Sequence, residues 1–281
     1  MTDQPDRALS FGSVAEAYDR GRPTYPREAA AWLVGDEPVV VLEVGAGTGK
    51  LTEALLALGH EVHATDPDDA MLARLRARLP DVPTSVASAE RLPAADASYD
   101  VVVAGQAFHW FDHERALPEI ARVLRPGGRL ALVWNERDER IPWVKRLGAI
   151  IGSQEQATDP TETIAASGRF GEVERTTFKH WQVIDRESVQ DLVVSRSNVA
   201  TLDHDARQAK LAEVLAFYDD YGRGMDGMQL PYDASCFRAT TADRPEGASG
   251  APTDATDAGS TPTATGGEPA GTDDVLLIDF R

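Results

Sequence analysis

Short apolar runs alternate with segments of helical periodicity from residue 39 to residue 134 of this 281-residue chain. The first run, residues 39–44, is apolar except for Glu43, as expected for a strand that is covered on both faces. Apolar residues then recur at helical spacing over residues 51–58, and Gly59 ends the predicted helix. Strands and helices in this order predict βαβ units with right-handed crossovers and a parallel sheet.

Five strands and three helices are predicted in this part of the chain, followed by two more strands. The first five strands cover residues 39–44, 61–65, 84–87, 99–104 and 129–134. The helices cover residues 51–58, 69–79 and 112–124, with Asp68 or Asp69 as the cap of the second. The later strands, residues 173–184 and 232–239, would complete one edge of the same sheet. The expected fold class is α/β, with a doubly wound, mainly parallel, seven-stranded sheet of the Rossmann type.

The charge of the chain limits its partners. It carries 46 acidic and 28 basic side chains, which give a formal net charge of −18, and lysine supplies four of the basic residues. Two interpretations stay open: a surface adapted to high salt, or an ordinary acidic protein with an acidic tail. Neither offers the basic surface that a nucleic-acid backbone requires, so we expect no nucleic-acid substrate.

The sequence shows no sign of export or of a membrane span. Residues 1–6 lack a basic region followed by an apolar core. Apolar runs such as residues 39–42 and 101–104 are too short to cross a bilayer. Cys236, the one cysteine of the sequence, rules out an intrachain disulfide framework. We therefore expect a cytoplasmic protein that does not bind membranes.

Composition changes sharply near the C-terminus. Residues 241–274 contain no Val, Ile, Leu, Met or aromatic residue. Such a segment cannot bury enough surface to offset the entropy of ordering it, so we predict an acidic disordered linker. Residues 275–281 turn apolar again. They either return to the body as an extra strand or hang as an exposed end, and the aggregation risk of an exposed end favours the strand.

Three glycines at alternate positions, Gly45, Gly47 and Gly49, follow the first strand. Glycine allows a tight turn and a close backbone approach to a ligand, and ligands of such sheets bind beyond the carboxyl ends of the strands. The dinucleotide fingerprint requires its third glycine at position 50, where this chain has Lys50, expected to be solvated. A phosphate loop requires Ser or Thr after the lysine, and Leu51 stands there. Neither phosphate-binding motif fits.

Four segments taken together resemble the S-adenosylmethionine (SAM) site of class I methyltransferases. Glu43 precedes the glycine triplet, Asp66 ends the second strand, residues 89–93 follow the third strand, and residues 126–130 precede the fifth. Each segment alone is a weak signal, whereas the combination is specific. The resemblance covers about residues 10–240.

A narrower resemblance is to the type 11 group of methyltransferases, whose broad relatives include trans-aconitate methyltransferase-like small-molecule enzymes. It rests on residues 11–26, on residues 106–111 after the fourth strand, and on residues 134–137 after the fifth. One departure is Ser88, where many relatives carry an aspartate that can bind the adenine amine.

The resemblance implies an organisation and a function. The implied organisation is an N-terminal lid with helices at residues 1–36 and a SAM-dependent methyltransferase domain at residues 37–240. The acidic linker at residues 241–274 and the apolar segment at residues 275–281 follow it. The implied function is transfer of a methyl group from SAM to a small-molecule acceptor by in-line displacement.

The resemblance also assigns residues to the ligands. In the family, the acidic residue at the position of Asp66 accepts hydrogen bonds from both ribose hydroxyls, and the residues at Ala89 and Glu90 frame the adenine. The expected cofactor-binding set is Glu43, Gly45, Ala46, Gly47, Gly49, Asp66, Pro67, Ala89, Glu90 and Gln106. The expected acceptor pocket contains Tyr18, Arg22, Tyr25, Phe108, Trp110 and Asn135. Met71 either covers the adenine or belongs to the core.

His109 is the best candidate for a catalytic base. Methyl transfer depends mainly on positioning, and a base is needed when the acceptor must lose a proton. The alternative is a hydrogen-bonding role for His109 behind the pocket. His109 and His113 are four residues apart, but the helix is expected to begin at Asp112, so no metal site is expected.

Three other functions stay open. A methyltransferase for RNA or another macromolecule is disfavoured by the net charge of −18. A nicotinamide-dependent oxidoreductase is disfavoured by Lys50 in place of the third glycine. A SAM-binding protein without catalysis is disfavoured because the chain retains each cofactor motif. The oligomeric state is not predicted.

Overall fold

The computed structural model describes residues 20–152, 159–195, 199, 202–221 and 227–242. Within these ranges the helices are α1 Arg27–Val34, α2 Lys50–Leu56, α3 Asp69–Arg78, α4 His113–Val123, α5 Pro142–Ile151, α6 Thr161–Ala166, α7 Ser188–Val194 and α8 His204–Tyr221. The strands are β1 Val40–Val44, β2 Glu61–Asp66, β3 Thr84–Val86, β4 Tyr99–Gly105, β5 Leu124–Arg137, β6 Glu174–Ile184 and β7 Met228–Thr240. The first 19 residues of the predicted lid, the predicted linker beyond residue 242 and the apolar segment 275–281 lie outside the described residues.

The seven strands of the described ranges form one sheet in the order β3-β2-β1-β4-β5-β7-β6. The five strands from β1 to β5 pair in parallel, and Val41 of β1 lies opposite both Val62 and Val101. β7 lies antiparallel between β5 and β6. The predicted doubly wound, mainly parallel, seven-stranded sheet is confirmed.

Alternate residues of the central strands enter two different cores, because successive side chains of a strand point to opposite faces. Val102 and Leu132 share a core with α4, whereas their neighbours Val103 and Val133 share another with α1 and α2. A third core joins α5, α7 and α8 to the ends of β6 and β7. No helix of the described ranges is both long enough and apolar enough to cross a membrane.

β5 begins five residues before its predicted start. Tyr99 pairs with Leu124 and Val101 pairs with Arg129, so the register shifts between the two pairs. Gly127 lies in the extra stretch with φ +76°, a conformation that glycine adopts without strain. The predicted break between α4 and β5 is therefore an irregular part of the strand itself.

Thr241 and Ala242, the first two residues of the predicted linker, are hydrogen-bonded to the body of the protein. The N–H of Thr241 donates to the carbonyl of Gly128 at 2.8 Å, and its Oγ1 accepts from the N–H of Gly127 at 3.1 Å. The next residue, Ala242, donates to the carbonyl of Arg169 at 2.9 Å. Backbone hydrogen bonds fix these residues even though their side chains bury little apolar surface.

Candidate functional site

The backbone turn after β1, residues 45–49, is held against the end of β2 and is called the glycine turn below. The N–H groups of Gly45 and Ala46 both donate to the carbonyl of Thr65, at 2.8 and 2.9 Å. Gly45 has φ +73°, and a Cβ built on it would lie 2.4 Å from the Cβ of Ala107. Glycine at this position therefore allows the segment after β4 to pack closely on the glycine turn.

Asp66, at the end of β2, is hydrogen-bonded to the glycine turn. Its Oδ2 accepts from the N–H of Gly47 at 2.8 Å, and its Oδ1 accepts from the N–H of Asp68 at 2.9 Å. Burial raises the pKa of Asp66 to about 6, while these two backbone hydrogen bonds oppose the rise. Each carboxylate oxygen has a second lone pair, so the pair of oxygens can still accept from two hydroxyl groups. Pro67, beside it, is exposed.

Glu43 is a buried acid beside the glycine turn. The hydroxyl of Thr52 donates to its Oε2 at 2.5 Å, and the hydroxyl of Thr65 donates to its main-chain carbonyl at 2.9 Å. Burial raises the pKa of Glu43 to about 8; the Thr52 hydrogen bond opposes the rise and the nearby Asp66 adds to it. The carboxyl group is therefore mostly protonated at neutral pH and can donate as well as accept a hydrogen bond.

A cleft opens beside the glycine turn and draws its lining from the segment before α1, the start of α2 and the ends of β1, β4 and β5. Its lining residues are Arg22, Pro23, Tyr25, Glu43, Gly45, Ala46, Gly47, Thr48, Lys50, Leu51, Gly105, Gln106 and Asn135. Five predicted cofactor residues and three predicted acceptor residues thus line one cleft, namely Glu43, Gly45, Ala46, Gly47, Gln106, Arg22, Tyr25 and Asn135. The other predicted cofactor residues, Gly49, Asp66, Pro67, Ala89 and Glu90, are not part of its lining. Lys50, expected to be solvated, is part of the lining.

Asn135, at the end of β5, connects three segments around the cleft. Its Nδ2 donates to the carbonyl of Thr24 at 3.1 Å, and its Oδ1 accepts from Nε2 of His180 at 2.9 Å. Its main-chain carbonyl accepts from Nε2 of Gln106 at 2.9 Å. Gln106 has φ +57°, which is uncommon outside glycine. Asn135 thereby fixes the segment before α1 and the segment after β4.

The cleft also depends on Arg22 and Tyr25, two residues predicted to form the acceptor pocket. The guanidinium of Arg22 donates to the carbonyl of Ser195 at 3.1 Å. The hydroxyl of Tyr25 lies 2.6 Å from the position that a Cβ on Gly105 would occupy, so Gly105 leaves room for the tyrosine. Tyr18, predicted to join them, lies outside the described residues.

His109 and Trp110 lie in a short 3-10 helix, Phe108–Trp110, between β4 and α4. The indole Nε1 of Trp134 donates to Nδ1 of His109 at 3.4 Å, and the ring centroids of His109 and Trp110 are 4.8 Å apart. Both rings are partly buried. Neither residue is among those that line the described cleft.

Phe108, predicted in the acceptor pocket, is buried in the core instead. Its ring stacks on His113 with centroids 4.4 Å apart and meets Trp134 edge-on at 6.3 Å. It belongs to the core on the α4 face of the sheet. An apolar ring that follows β4 and precedes α4 is drawn under the helix, because burial there removes it from water.

The predicted adenine residues form the junction between β3 and α4. Oε1 of Glu90 accepts from the N–H of Asp112 at 2.9 Å. Burial acts to raise the pKa of Glu90, but hydrogen bonds from Ser88 and Asp112 outweigh it and lower the pKa. The side chain of Ala89 is buried in the core, so any ligand contact at that residue is left to its backbone.

Gly49 and Met71 fit α3 against the glycine turn. A Cβ on Gly49 would lie 2.8 Å from Cγ of Leu75, so this glycine is explained by close packing on α3. Met71 is buried, and its Cε lies 3.4 Å from the position of a Cβ on Gly47. Met71 is therefore a core residue that also borders the glycine turn.

Several residues that shape the site carry no motif. Ala107 must be small to admit Gly45, and Thr52 is the partner of Glu43. A threonine next to the apolar stripe of α2 was the available signal for Thr52. His180, which is hydrogen-bonded to Asn135, lies on β6, where exposed and partly buried residues alternate. The available signal for His180 was its place on the more buried face of that strand. In the part of the chain that the structure describes, no three His, Cys, Asp or Glu side chains are grouped to hold a metal ion.

Comparison with known proteins adds two solved structures of the same architecture. A type II methyltransferase of Anaeromyxobacter dehalogenans is 26% identical, with a TM-score of 0.54, and the match covers 78% of this chain and 97% of that one. Phosphoethanolamine N-methyltransferase 2 of Haemonchus contortus, solved with S-adenosylhomocysteine, is 17% identical with a TM-score of 0.51. That match covers 85% of this chain and 59% of the other, and it shows a shared fold.

The sequence comparisons are more specific. The family model of a methyltransferase domain matches residues 42–132, which hold the glycine turn, Asp66 and β2 to β4. An uncharacterized methyltransferase of Mycobacterium bovis is 45% identical over 241 residues, which are 84% of this chain and 98% of the relative. Because that likeness extends over nearly the whole relative, this chain belongs to the methyltransferase family, and it has the class I fold.

Proposed function

We propose that this protein transfers a methyl group from SAM to a small-molecule acceptor. The observation that carries the proposal is the carboxylate of Asp66, held against the glycine turn by the N–H of Gly47 at 2.8 Å. A charged acceptor pair next to bare backbone suits a ligand that combines a ribose diol with a slender chain. The Haemonchus enzyme of the same fold was solved with the demethylated product of SAM, which supports this assignment.

The residues of the site fit SAM in three places. Asp66 accepts from the ribose hydroxyls, and Pro67, Glu90 and the backbone of Ala89 border the adenine. The glycine turn lines the cleft with Gly45, Ala46 and Gly47, and the methionine portion lies against it. SAM supplies a methyl group on a positively charged sulfur, which leaves as a neutral thioether when a lone pair of the acceptor attacks in line. The chain's own part is to position both reactants and to exclude water.

A small acceptor is favoured over a macromolecule. The segment before α1 enters the lining of the cleft with Arg22 and Tyr25, and Asn135 ties that segment to β5. A polynucleotide would also meet a chain with a net charge of −18. A dinucleotide is disfavoured because Gly49 is already used in packing on α3 and position 50 carries a lysine side chain in the cleft.

Calorimetric titration with S-adenosylhomocysteine, and separately with NADH, tests the cofactor assignment. The wild-type protein should bind S-adenosylhomocysteine and not NADH. Asp66→Asn should weaken that binding about tenfold to a hundredfold, as expected for lost hydrogen bonds to a charged group. Asp81→Asn, an exposed aspartate beyond α3, is the matched control and should bind like the wild type. Binding of NADH alone, or unchanged affinity in Asp66→Asn, would overturn the proposal.

The acceptor class has a test of its own. Protein saturated with SAM labelled on the methyl group is incubated with a small-molecule extract, with transfer RNA, and with a peptide mixture. Label should appear in the small-molecule fraction. Label confined to RNA or peptide would contradict the small-molecule assignment while leaving the cofactor assignment intact.

A further inference from the structure

The segment between β4 and α4 brings His109 to the edge of the sheet where ligands of this fold bind. Ala107 in this segment abuts Gly45, and Gln106 lines the cleft. His109 follows two residues after Ala107, and its ring is partly exposed. What its imidazole can do depends on which ring nitrogen carries the proton.

The partner of His109 fixes that nitrogen. The indole Nε1 of Trp134 is a donor and cannot accept a hydrogen bond. It lies 3.4 Å from Nδ1 of His109, and Trp134 is almost fully buried. A proton on Nδ1 would place two N–H groups against each other and leave the buried indole N–H without an acceptor, which is costly. Nδ1 is therefore the acceptor, and the neutral ring carries its proton on Nε2.

Packing against other aromatic rings fixes the indole ring of Trp134. Its ring meets Phe237 edge-on with centroids 5.8 Å apart and Phe108 in the same way at 6.3 Å. These contacts place the indole in the core on the α4 face. The direction of its N–H is therefore set by packing, and the orientation of His109 follows from it.

We propose that Trp134 is a positioning residue that holds His109 in the Nε2–H tautomer, so that His109 donates a hydrogen bond to the methyl acceptor. This inference rests on the proposed methyl transfer. It replaces the expectation that His109 is the catalytic base, since the lone pair of Nδ1 faces Trp134 and Nε2 already carries a proton.

The tautomer has a consequence for the acceptor. The acceptor's lone pair forms the bond to the methyl carbon while the bond from that carbon to sulfur breaks, and no proton passes to His109. The substrate class is then one whose attacking group is already unprotonated, or gives its proton to water, and that offers an atom able to accept from Nε2–H.

The tautomer can be measured directly by nitrogen NMR on the full chain saturated with S-adenosylhomocysteine. With 15N-labelled histidine, the signals of His109 are assigned by their loss in His109→Gln. Nδ1 is expected to be unprotonated and Nε2 protonated. A proton on Nδ1 would overturn the proposal.

A variant provides an independent readout. Trp134→Phe removes the donor, and the His109 signals should shift toward a mixture of both tautomers. Trp181→Phe, which changes a tryptophan that is 60% exposed on β6, is the control and should leave them unchanged. If Trp134→Phe fails to fold, the tautomer of His109 observed in the wild-type protein decides between the two outcomes. Loss of S-adenosylhomocysteine binding in the wild type would count against the proposed function and leave the tautomer question separate.

Turnover with an acceptor from the labelled screen separates donor from base. Loss of one neutral hydrogen bond in His109→Ala should lower kcat/KM by about tenfold or less. His109→Gln, whose amide can donate near the position of Nε2, should lower it less. A loss of about a hundredfold to ten-thousandfold in both variants is the signature of a general base and would contradict the proposal.

Discussion

Trp134 and Asn135 are consecutive residues of β5, and their side chains leave the sheet on opposite faces to hold two different segments beside the cleft. Trp134 donates to His109, in the connection from β4 to α4. Asn135 donates to the carbonyl of Thr24, in the segment before α1, and its own carbonyl accepts from Gln106. The end of one strand therefore sets the position of both segments beside the cleft.

Substitution of Gly45 in the glycine turn should affect both stability and ligand binding, and Gly59 provides the control. Gly45→Ala places a Cβ 2.4 Å from the Cβ of Ala107 at φ +73°, so it should destabilise the protein and abolish S-adenosylhomocysteine binding. Gly59→Ala, at φ +89° with no atom within 4 Å, should cost about 1–2 kcal/mol of unfolding free energy and keep binding. Urea unfolding and calorimetry measure both. Equal effects of the two variants would show that the contact with Ala107 is unimportant.

Glu43 predicts how stability changes with pH. Its pKa is about 8 in the folded protein and 4.5 in the unfolded chain. Between pH 4.5 and pH 8 the folded form therefore holds a proton that the unfolded form has lost. The free energy of unfolding should therefore fall as pH rises, by up to about 1.4 kcal/mol per unit from this group. Glu43→Gln should flatten the profile, whereas Glu28→Gln, at an exposed position, should not. Urea unfolding at pH 5.5, 7 and 8.5 tests this, and parallel profiles for wild type and Glu43→Gln would refute it.

The acidic composition predicts a response to salt. At a net charge of −18, mutual repulsion opposes the compact state, and the screening length falls from about 10 Å at 0.1 M salt to about 3 Å at 1 M. The melting temperature at pH 7.5 should rise between these KCl concentrations. Near the isoelectric point the same KCl step should have little effect. A rise that is equal at both pH values would point to general salt exclusion and not to screening.

Cys236 should be unreactive in the folded protein. It is fully buried in β7, and burial raises the pKa of its thiol to about 12. Because the thiolate is the reactive form, Ellman's reagent at pH 8 should modify the native protein at least about a hundredfold more slowly than the urea-unfolded chain. The sequence contains one thiol, so the absorbance reports on this site alone. Rapid modification of the native chain would show that β7 opens readily.

The central strands are predicted well from the sequence because a strand buried on both faces is a continuous run of apolar residues. Val101 to Ala104 form a continuous apolar run of strand length that is rich in β-branched residues, and the helical period of α4 follows it. The start of β5 at Leu124 was missed because it depends on pairing with Tyr99, 25 positions earlier in the chain. Strand ends are decided by partners, and partners are not visible in a local pattern.

The same distinction between local and long-range information applies to the candidate site. Asp66 and the glycines were predicted from residue type and spacing, and Asp66 lies within hydrogen-bonding distance of the glycine turn. The core position of Phe108 and the contact between His109 and Trp134 were not predicted, since the first depends on packing against α4 and the second on a residue 25 positions later in the chain. Neighbours that are distant in sequence determine where an aromatic ring or an imidazole points.

The place of β7 in the sheet has a consequence for synthesis. β7 is the last strand of the described chain, yet it lies between β5 and β6 and pairs with both. During synthesis on the ribosome, β5 and β6 emerge first. The backbone N–H and C=O groups that pair with β7 stay without these partners until residues 228–240 are made. A nascent chain that stalls or is cut before Met228 would expose the unpaired edges of β5 and β6. Such edges promote aggregation and would make this chain a target of chaperones and proteases.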